Sequence, residues 1–404
     1  MTTTGEKHLS VFVLIDALGW RFLQGRRFLS DLCPYRVPMR TVLGFCSGAI
    51  PTILTGVPPA LNGHWNLFYF DPEESPFRWL RRFGFLPRRL LDHPVTRKLV
   101  EELGRRALGL GSNFECSVSP RLLPWFDWIE RRNIYDPDGI AGARSIFDEL
   151  AADGIPYRVY TYHRRSDRDI LTRAKHDLEA SDARFFFLYL RELDRLFHTH
   201  GHDEKELDSR LASYEDRLRE LFLTAQRRDP EAVLAVFSDH GMTPVENTYD
   251  LAGDIDRLGF AMPEDYLAVY DPTMARFWFF RGSARAKIAG CLRGESCGRI
   301  LSEDELRDLG ILFPDRRYGE LIFLLHPGWL LARNDSNKPG RMPAGMHGYH
   351  PDDPYSDAVF FSNRSPSKEV RALADVYHVM REAAAGGCAE GLGTRDKKRS
   401  RVES

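Results

Sequence analysis

Three short apolar runs, each followed closely by an aspartate, constrain the fold of this chain most strongly. They are Ser10–Ile15 (SVFVLI), Phe185–Leu190 (FFFLYL) and Val233–Phe237 (VLAVF). A short, continuous apolar run is typical of a strand buried on both faces, as in a parallel sheet covered by helices. Because ligands of such sheets bind beyond the carboxyl ends of the strands, the residues after these runs are predicted to share one edge.

Carboxylates and imidazoles follow the predicted strands, a combination that suits a divalent transition metal. In the segment RELDRLFHTHGH, Asp194 and His198 are four residues apart and share one face of a helix. A glycine-bracketed loop contributes His347 before a further predicted strand, Ala358–Phe361. Three aspartates and three histidines are enough for two cations with three protein ligands each. The candidate ligands are Asp16, Asp194, His198, Asp239, His240 and His347.

The segment GFCSGAIPTILTG, residues 44–56, has the composition of a short helix that begins with small residues and closes at Gly56. Cys46 and Ser47 stand at its start. A nucleophile there gains from the helix dipole, and the free N–H groups of the first turn can hold a phosphoryl or sulfuryl oxygen. Beside the metal set, this segment is predicted to carry the nucleophile.

In this order and spacing, these motifs resemble the alkaline phosphatase superfamily, and within it the type I phosphodiesterase and nucleotide pyrophosphatase branch. The resemblance covers roughly residues 10–64, 145–245 and 340–380. It implies an α/β fold, an alkaline-phosphatase-like three-layer sandwich with a mostly parallel central sheet and inserted cap segments. It also implies two divalent metal ions, with zinc expected and manganese as the alternative.

Carried over by position, the resemblance assigns the ligands to two metal sites. One comprises Asp16, the nucleophile, Asp239 and His240, and the other comprises Asp194, His198 and His347. Two ions in such an arrangement hold the attacking and bridging oxygens of an in-line displacement and lower the pKa of the nucleophile.

The nucleophile departs from the family pattern. The family has Thr or Ser nine residues before the Thr of a closing Thr-Gly pair, and counting back from Thr55 gives Cys46. Sulfatases carry a cysteine in this register within Cys-x-Pro-x-Arg, but Gly48 and Ile50 occupy the Pro and Arg positions here. Ser47 fits the spacing of alkaline phosphatases. Three interpretations stay open: Cys46 as a metal-bound thiolate, which the register favours; Ser47 after a one-residue shift, which ordinary chemistry favours; or binding without turnover. Cys46 is placed first.

The predicted function is that of a metal-dependent hydrolase of phosphate esters, a phosphodiesterase or nucleotide pyrophosphatase acting on a small-molecule phosphate ester. A sulfatase or phosphomonoesterase on the same core is the alternative among enzymes. A metal-binding protein without turnover is the alternative of another class.

Length and charge bound the organisation and the partners. The chain has 404 residues, 43% of them hydrophobic, and a net charge of −2, so no general electrostatic field attracts nucleic acid. No apolar run reaches the length of a membrane span, and the N-terminus lacks the pattern of a signal peptide. Six cysteines without a motif spacing suit the reducing cytoplasm, where we expect the protein.

The rhythm of alternating strands and helices divides the chain further. One catalytic domain is predicted over residues 1–385, with cap insertions at 65–135 and 251–340 and a disordered tail at 386–404. Within it, helices are predicted at 140–153, 167–180, near 203–228 and 283–294, and at 367–384. The insertions are expected to cover the metal edge, with Trp65, Phe68 and Tyr69 as the first candidates for contact with substrate.

Overall fold

A six-stranded sheet with helices on both faces forms the centre of the computed structural model, which describes residues 8–386 apart from 85–86, 92, 111–113, 164 and 336–341. The strands are β1 (Ser10–Ile15), β2 (Tyr35–Met39), β3 (Phe68–Phe70), β4 (Phe126–Trp128), β5 (Tyr157–Tyr160), β6 (Phe185–Leu190), β7 (Val233–Phe237), β8 (Thr243–Pro244), β9 (Asn247–Tyr249), β10 (Tyr266–Tyr270), β11 (Met274–Phe279), β12 (Gly298–Ile300), β13 (Leu321–Leu325), β14 (Trp329–Leu331), β15 (Gly345–Met346) and β16 (Ala358–Ser362).

Thirteen α-helices and two 3₁₀ helices, Arg78–Phe83 and Leu123–Trp125, connect the strands within the described residues. The α-helices are α1 (Trp20–Leu23), α2 (Cys46–Thr55), α3 (Pro59–Asn62), α4 (Arg88–Leu91), α5 (Pro94–Ala107), α6 (Ile146–Ala152), α7 (Asp167–Ala180), α8 (Glu192–His200), α9 (Glu204–Arg228), α10 (Leu251–Arg257), α11 (Gly282–Arg293), α12 (Glu303–Asp308) and α13 (Asp375–Ala384).

The central sheet has the strand order β2-β16-β7-β1-β6-β5. β7, β1, β6 and β5 are parallel to one another, and β16 pairs antiparallel with both β7 and β2. Successive residues of β1 face opposite sides, so Val11 and Val13 join a core with α7 and α9, while Phe12 and Leu14 join one with α2, α6 and α13. The predicted three-layer, mostly parallel α/β fold is confirmed.

The two segments predicted as insertions pack against each other. Residues 251–340 contain an antiparallel sheet of the order β10-β11-β13-β12. Leu267, Val269 and Trp278 of this sheet share a core with Phe68 and Trp128 of the earlier segment. The tail predicted from residue 386 falls on residues 387–404, which lie outside the described residues.

Two predicted helices begin later than expected. The helix predicted at 140–153 begins at Ile146, because the hydroxyl of Ser145 accepts the N–H of Asp148 in a capping box. The helix predicted at 367–384 begins at Asp375, whose carboxylate accepts the N–H groups of Arg371 and Ala372 at 2.9 and 2.8 Å. A side-chain cap therefore sets the first start, and at the second the Asp375 carboxylate holds the turn that precedes the helix.

Candidate active site

Five predicted metal ligands follow β1, β6 and β7, and they meet His347, from the loop after β15, and Cys46 at the start of α2. Side-chain atoms in each of three overlapping groups lie within 4.8 Å of one another. The groups are Asp16, Cys46, Asp239 and His240; Asp194, His198 and His347; and Cys46, His240 and His347.

The first group is centred on the Nε2 atom of His240. This nitrogen lies 3.3 Å from Cys46 Sγ, 3.4 Å from Asp16 Oδ1 and 3.3 Å from Asp239 Oδ2. The other oxygen of Asp16 accepts the hydroxyl of Tyr189 at 2.7 Å. Oxygen, nitrogen and sulfur atoms thus surround one small volume.

The second group lies on α8 and the loop after β15. Asp194 and His198, four residues apart on the helix, bring Oδ1 and Nε2 to 3.2 Å. His347 Nε2 lies 4.0 Å from the same oxygen. The rings of His347 and His240 stack at 3.8 Å, which brings the two groups into contact. Gly348 has a φ of 92°, and a Cβ there would meet Phe45 and Thr273 at 2.9 Å, so the loop after His347 requires glycine.

Hydrogen bonds to backbone carbonyls fix the tautomers of two histidines. The Nδ1 atoms of His198 and His240 lie 2.8 Å from the carbonyl oxygens of Gly345 and Gly241, and a carbonyl can only accept. When these imidazoles are neutral, Nδ1 carries the proton and the lone pair of Nε2 faces the carboxylates. Backbone carbonyls commonly orient metal-binding histidines in this way.

Buried atoms without partners show that the cluster suits a cation. Asp239 Oδ2 and His347 Nδ1 are buried, and no described group hydrogen-bonds them. Unsatisfied buried oxygens cost free energy, and buried carboxylates usually pair with a positive group or coordinate a metal. The donor set of carboxylates, imidazoles and a thiol fits zinc and related divalent ions.

Burial and neighbouring charges shift the pKa values of several groups in the cluster. Burial raises the pKa of the Cys46 thiol, and the nearby carboxylates, Asp16 first, raise it further. Burial also raises the pKa of Asp16, with Asp239 as the next cause. Burial lowers the pKa of His347, which keeps this imidazole neutral. A cation between these groups opposes each rise, because it stabilises the thiolate and the carboxylates.

Cys46 and Ser47 point in different directions from the first turn of α2. Cys46 faces the carboxylates and His240, while the hydroxyl of Ser47 is buried and donates to the carbonyl oxygen of Trp65 at 2.9 Å. Close packing holds this arrangement, since a Cβ on Gly48 would lie 3.0 Å from the same carbonyl oxygen. Of the two candidate nucleophiles, only Cys46 contributes to the cluster.

A cavity of about 800 Å³ opens over the cluster. Its lining includes Cys46, His198 and His347, and it draws residues from both segments predicted as insertions. Of the three aromatic residues expected to contact substrate, Phe68 lines this cavity. Trp65 and Tyr69 do not: the indole of Trp65 is buried and donates to Leu43 O, and the Tyr69 hydroxyl donates to Asp127.

Sequence reasoning missed two polar residues beside the cluster. The Nδ2 atom of Asn66 is buried without a described partner, and Asn66 lines the cavity. Arg191 also lines it, with Nε 3.9 Å from Asp194 Oδ2 and the guanidinium over the ring of Tyr162. Arg191 directly follows β6, so the strand-end rule could have found it; no sequence signal pointed to Asn66.

Comparisons with known proteins place the chain in a family. The sequence profile of the type I phosphodiesterase / nucleotide pyrophosphatase family matches residues 11–350. None of the curated protein sequences matches the chain.

Solved structures share the fold at low sequence identity. Murine ectonucleotide pyrophosphatase / phosphodiesterase 5 aligns with a TM-score of 0.65 and 16% identity, over 96% of this chain and 98% of its own. The human protein of the same name aligns with a TM-score of 0.66 and 15% identity, over 96% of this chain and 97% of its own. Phosphonoacetate hydrolase from Sinorhizobium meliloti aligns with a TM-score of 0.64 and 14% identity, over 94% of this chain and 96% of its own. The family match spans most of the chain, and the chain belongs to the type I phosphodiesterase / nucleotide pyrophosphatase family.

Proposed function

We propose that this phosphoester hydrolase is a phosphodiesterase or nucleotide pyrophosphatase that binds two divalent ions and uses Cys46 as its nucleophile. The choice of nucleophile rests on the position of Cys46 Sγ. This atom lies on the wall of the cavity, 3.3 Å from His240 Nε2 and 4.0 Å from Asp16 Oδ1. A phosphorus atom held in the cavity can approach this sulfur while its oxygens face the ligand groups.

The ligand assignment follows the two groups of side chains. One ion would be held by Asp16, Cys46, Asp239 and His240. The other would be held by Asp194, His198 and His347. When bound, the ions supply charge neutralisation for the phosphoryl oxygens and stabilise the thiolate. The thiol is the reason that we expect zinc rather than manganese, since soft sulfur ligands select zinc.

The chain's own residues position the substrate for displacement. Cys46 stands at the N-terminus of α2, where the positive end of the helix dipole favours its thiolate. Its sulfur forms a bond to phosphorus as the bond from phosphorus to the leaving oxygen breaks. Water then displaces the sulfur and releases the phosphate product. The amide of Asn66 and the guanidinium of Arg191 donate to the phosphoryl oxygens from the cavity wall.

The size of the cavity favours a diester over a monoester. At about 800 Å³, with walls from both insertions, it has room for a second substituent on phosphorus. An inactive variant of the murine relative was solved in complex with AMP, which supports a nucleotide as one substituent here. We place the protein in the cytoplasm, because the five cysteines within the described residues are all free.

Hydrolysis of matched nitrophenyl compounds tests the proposal. Bis-p-nitrophenyl phosphate is expected to react faster than p-nitrophenyl phosphate or the sulfate ester, with zinc and not after chelation. Cys46→Ala is expected to abolish the reaction, while Ser47→Ala keeps a substantial rate. Faster hydrolysis of the monoester or the sulfate ester would replace the phosphodiesterase proposal. A full rate in Cys46→Ala would reject the nucleophile.

A further inference from the structure

The surface of α5 and its flanks carries exposed apolar side chains that the catalytic site does not use. Nine large hydrophobic side chains are exposed across the described residues, and five of them fall between residues 83 and 103. We call these five the docking face: Phe83, Leu90, Val95, Leu99 and Leu103. Clusters of exposed apolar residues of this kind mark interaction surfaces more often than isolated ones do.

The packing of α5 leaves three residues of the docking face exposed. Val100 and Gly104 face a small core, and a Cβ on Gly104 would lie 2.6 Å from the ring of Phe114, so the helix packs closely on that side. Val95, Leu99 and Leu103 recur every four residues on another side of the helix. Their exposed fractions are 59%, 66% and 38%.

A strong positive charge accompanies the apolar stripe. Residues 78–107 contain nine Arg or Lys and three Asp or Glu, a local balance of +6 in a chain whose net charge is −2. On α5, Glu101 and Glu102 pair with Arg105 and Arg106. Lys98, on the same helix, forms no ion pair with a described residue, so its charge is available to an outside partner.

We propose that the docking face binds an anionic lipid surface. Apolar side chains flanked by basic residues bind membranes by inserting the former at the headgroup boundary and attracting acidic lipids with the latter. Nucleic acid offers no apolar environment for the leucines. A symmetric contact with a second copy of the chain is disfavoured, because it brings together two segments that each carry a charge of +6.

α5, the helix that carries three residues of the docking face, is hydrogen-bonded to a wall of the catalytic cavity. The guanidinium of Arg97, on α5, donates to the carbonyl oxygens of Cys116 and Ser117 at 3.0 and 2.8 Å. Ser117 and Val118 line the cavity. A membrane bound at α5 therefore lies beside one wall of the cavity. No helix in the described part of the chain is long and apolar enough to span the bilayer, so the contact is peripheral.

Vesicle flotation with the full chain tests the inference. The protein is expected to float with phosphatidylcholine vesicles containing about a third phosphatidylserine and not with pure phosphatidylcholine, and about 0.5 M salt should weaken binding. Leu99→Glu with Leu103→Glu should reduce binding at least about tenfold. Leu223→Glu is the matched control and should bind as the parent does, because Leu223 lies on α9 and its exposed fraction, 50%, falls between those of Leu99 and Leu103. Lys98→Glu should weaken binding to acidic vesicles.

Three results would overturn the inference. They are equal binding to neutral and acidic vesicles, full binding by the double variant, and a concentration-dependent dimer that the double variant abolishes, which assigns the face to a second copy. Thermal unfolding and hydrolysis of a soluble diester, both expected to stay at parent levels, show that the variants are folded. The catalytic proposal therefore stands or falls separately.

Discussion

Replacing Asp239 by Asn should change stability in opposite directions in the metal-free and metal-loaded protein. Asp239 is fully buried, and its Oδ1 accepts the N–H groups of Ala17 and His240 at 3.4 and 3.1 Å. Asn keeps this acceptor. The change falls on Oδ2, which has no hydrogen bond and lies 3.3 Å from the Nε2 atom of His240. The new amide group can donate to that nitrogen.

The magnitude follows from the charge that the substitution removes. Carboxylate oxygens of Asp16 and Asp239 lie within 4.8 Å. At an effective dielectric constant of about 20, two unit charges at this distance repel by about 3 kcal/mol. A proton on Asp16, whose pKa burial and then Asp239 raise, relieves part of this repulsion. In the metal-free protein at pH 8, Asp239→Asn should therefore raise the free energy of unfolding by about 1–3 kcal/mol.

Zinc should reverse the order of the two proteins. Binding to the folded state adds about 4 kcal/mol of stability when the ion is a thousandfold above its Kd, and the variant has lost a carboxylate ligand. Urea unfolding of both proteins, with chelator and with zinc, measures the four free energies. If Asp239→Asn destabilises the protein equally in both conditions, the carboxylate acts as a structural hydrogen-bond acceptor and the metal argument fails.

Three further predictions test other parts of the site. Cobalt-loaded protein should show a sulfur-to-metal charge-transfer band that disappears in Cys46→Ala and persists in Ser47→Ala; a band unchanged in Cys46→Ala would exclude the thiolate ligand. Burial raises the pKa of Glu130, on the cavity wall, from 4.5 to about 7. Between pH 4.5 and about pH 7, the folded state thus holds a proton that the unfolded state has lost, so the free energy of unfolding falls as the pH rises through this range. Glu130→Gln should reduce the loss of unfolding free energy between pH 5 and pH 8 by on the order of 2 kcal/mol, and an unchanged pH dependence would refute it. Arg191→Met should lower kcat/KM for a diester about tenfold or more without a comparable loss of melting temperature, since an ionic hydrogen bond contributes about 1.5–3 kcal/mol; equal kinetics would remove Arg191 from the binding site.

The central sheet could be predicted where the sequence pattern is continuous. β1, β6 and β7 have the predicted bounds, because apolar runs buried on both faces leave one interpretation. β2 (YRVPM) was not identified singly: it lies at the edge, pairs with β16 alone within the sheet, and contains Pro38. Edge strands need little apolar sequence, so the pattern is weak there.

The convergence of the candidate ligands could be predicted, because strand ends in a parallel sheet meet at one edge, whatever the loops between them do. The choice between Cys46 and Ser47 could not be predicted from the sequence. Adjacent helical positions differ in direction by about 100°, and the rotation of α2 is set by distant packing on Trp65. Asn66 was missed for a related reason, since only its unsatisfied amide at the cavity, and no spacing in the sequence, points to it.

The antiparallel position of β16 has a consequence for the synthesis of the protein on the ribosome. β2 is made early, but its partner within the sheet, β16, emerges only after the other five strands of the central sheet, and shortly after His347. Until then β7 has an unpaired edge and the ligand cluster lacks an imidazole. Completion of the sheet and completion of the cluster are thus late and nearly simultaneous. A nascent or truncated chain holds an open sheet edge, the form most prone to aggregation, and lacks a complete ligand set.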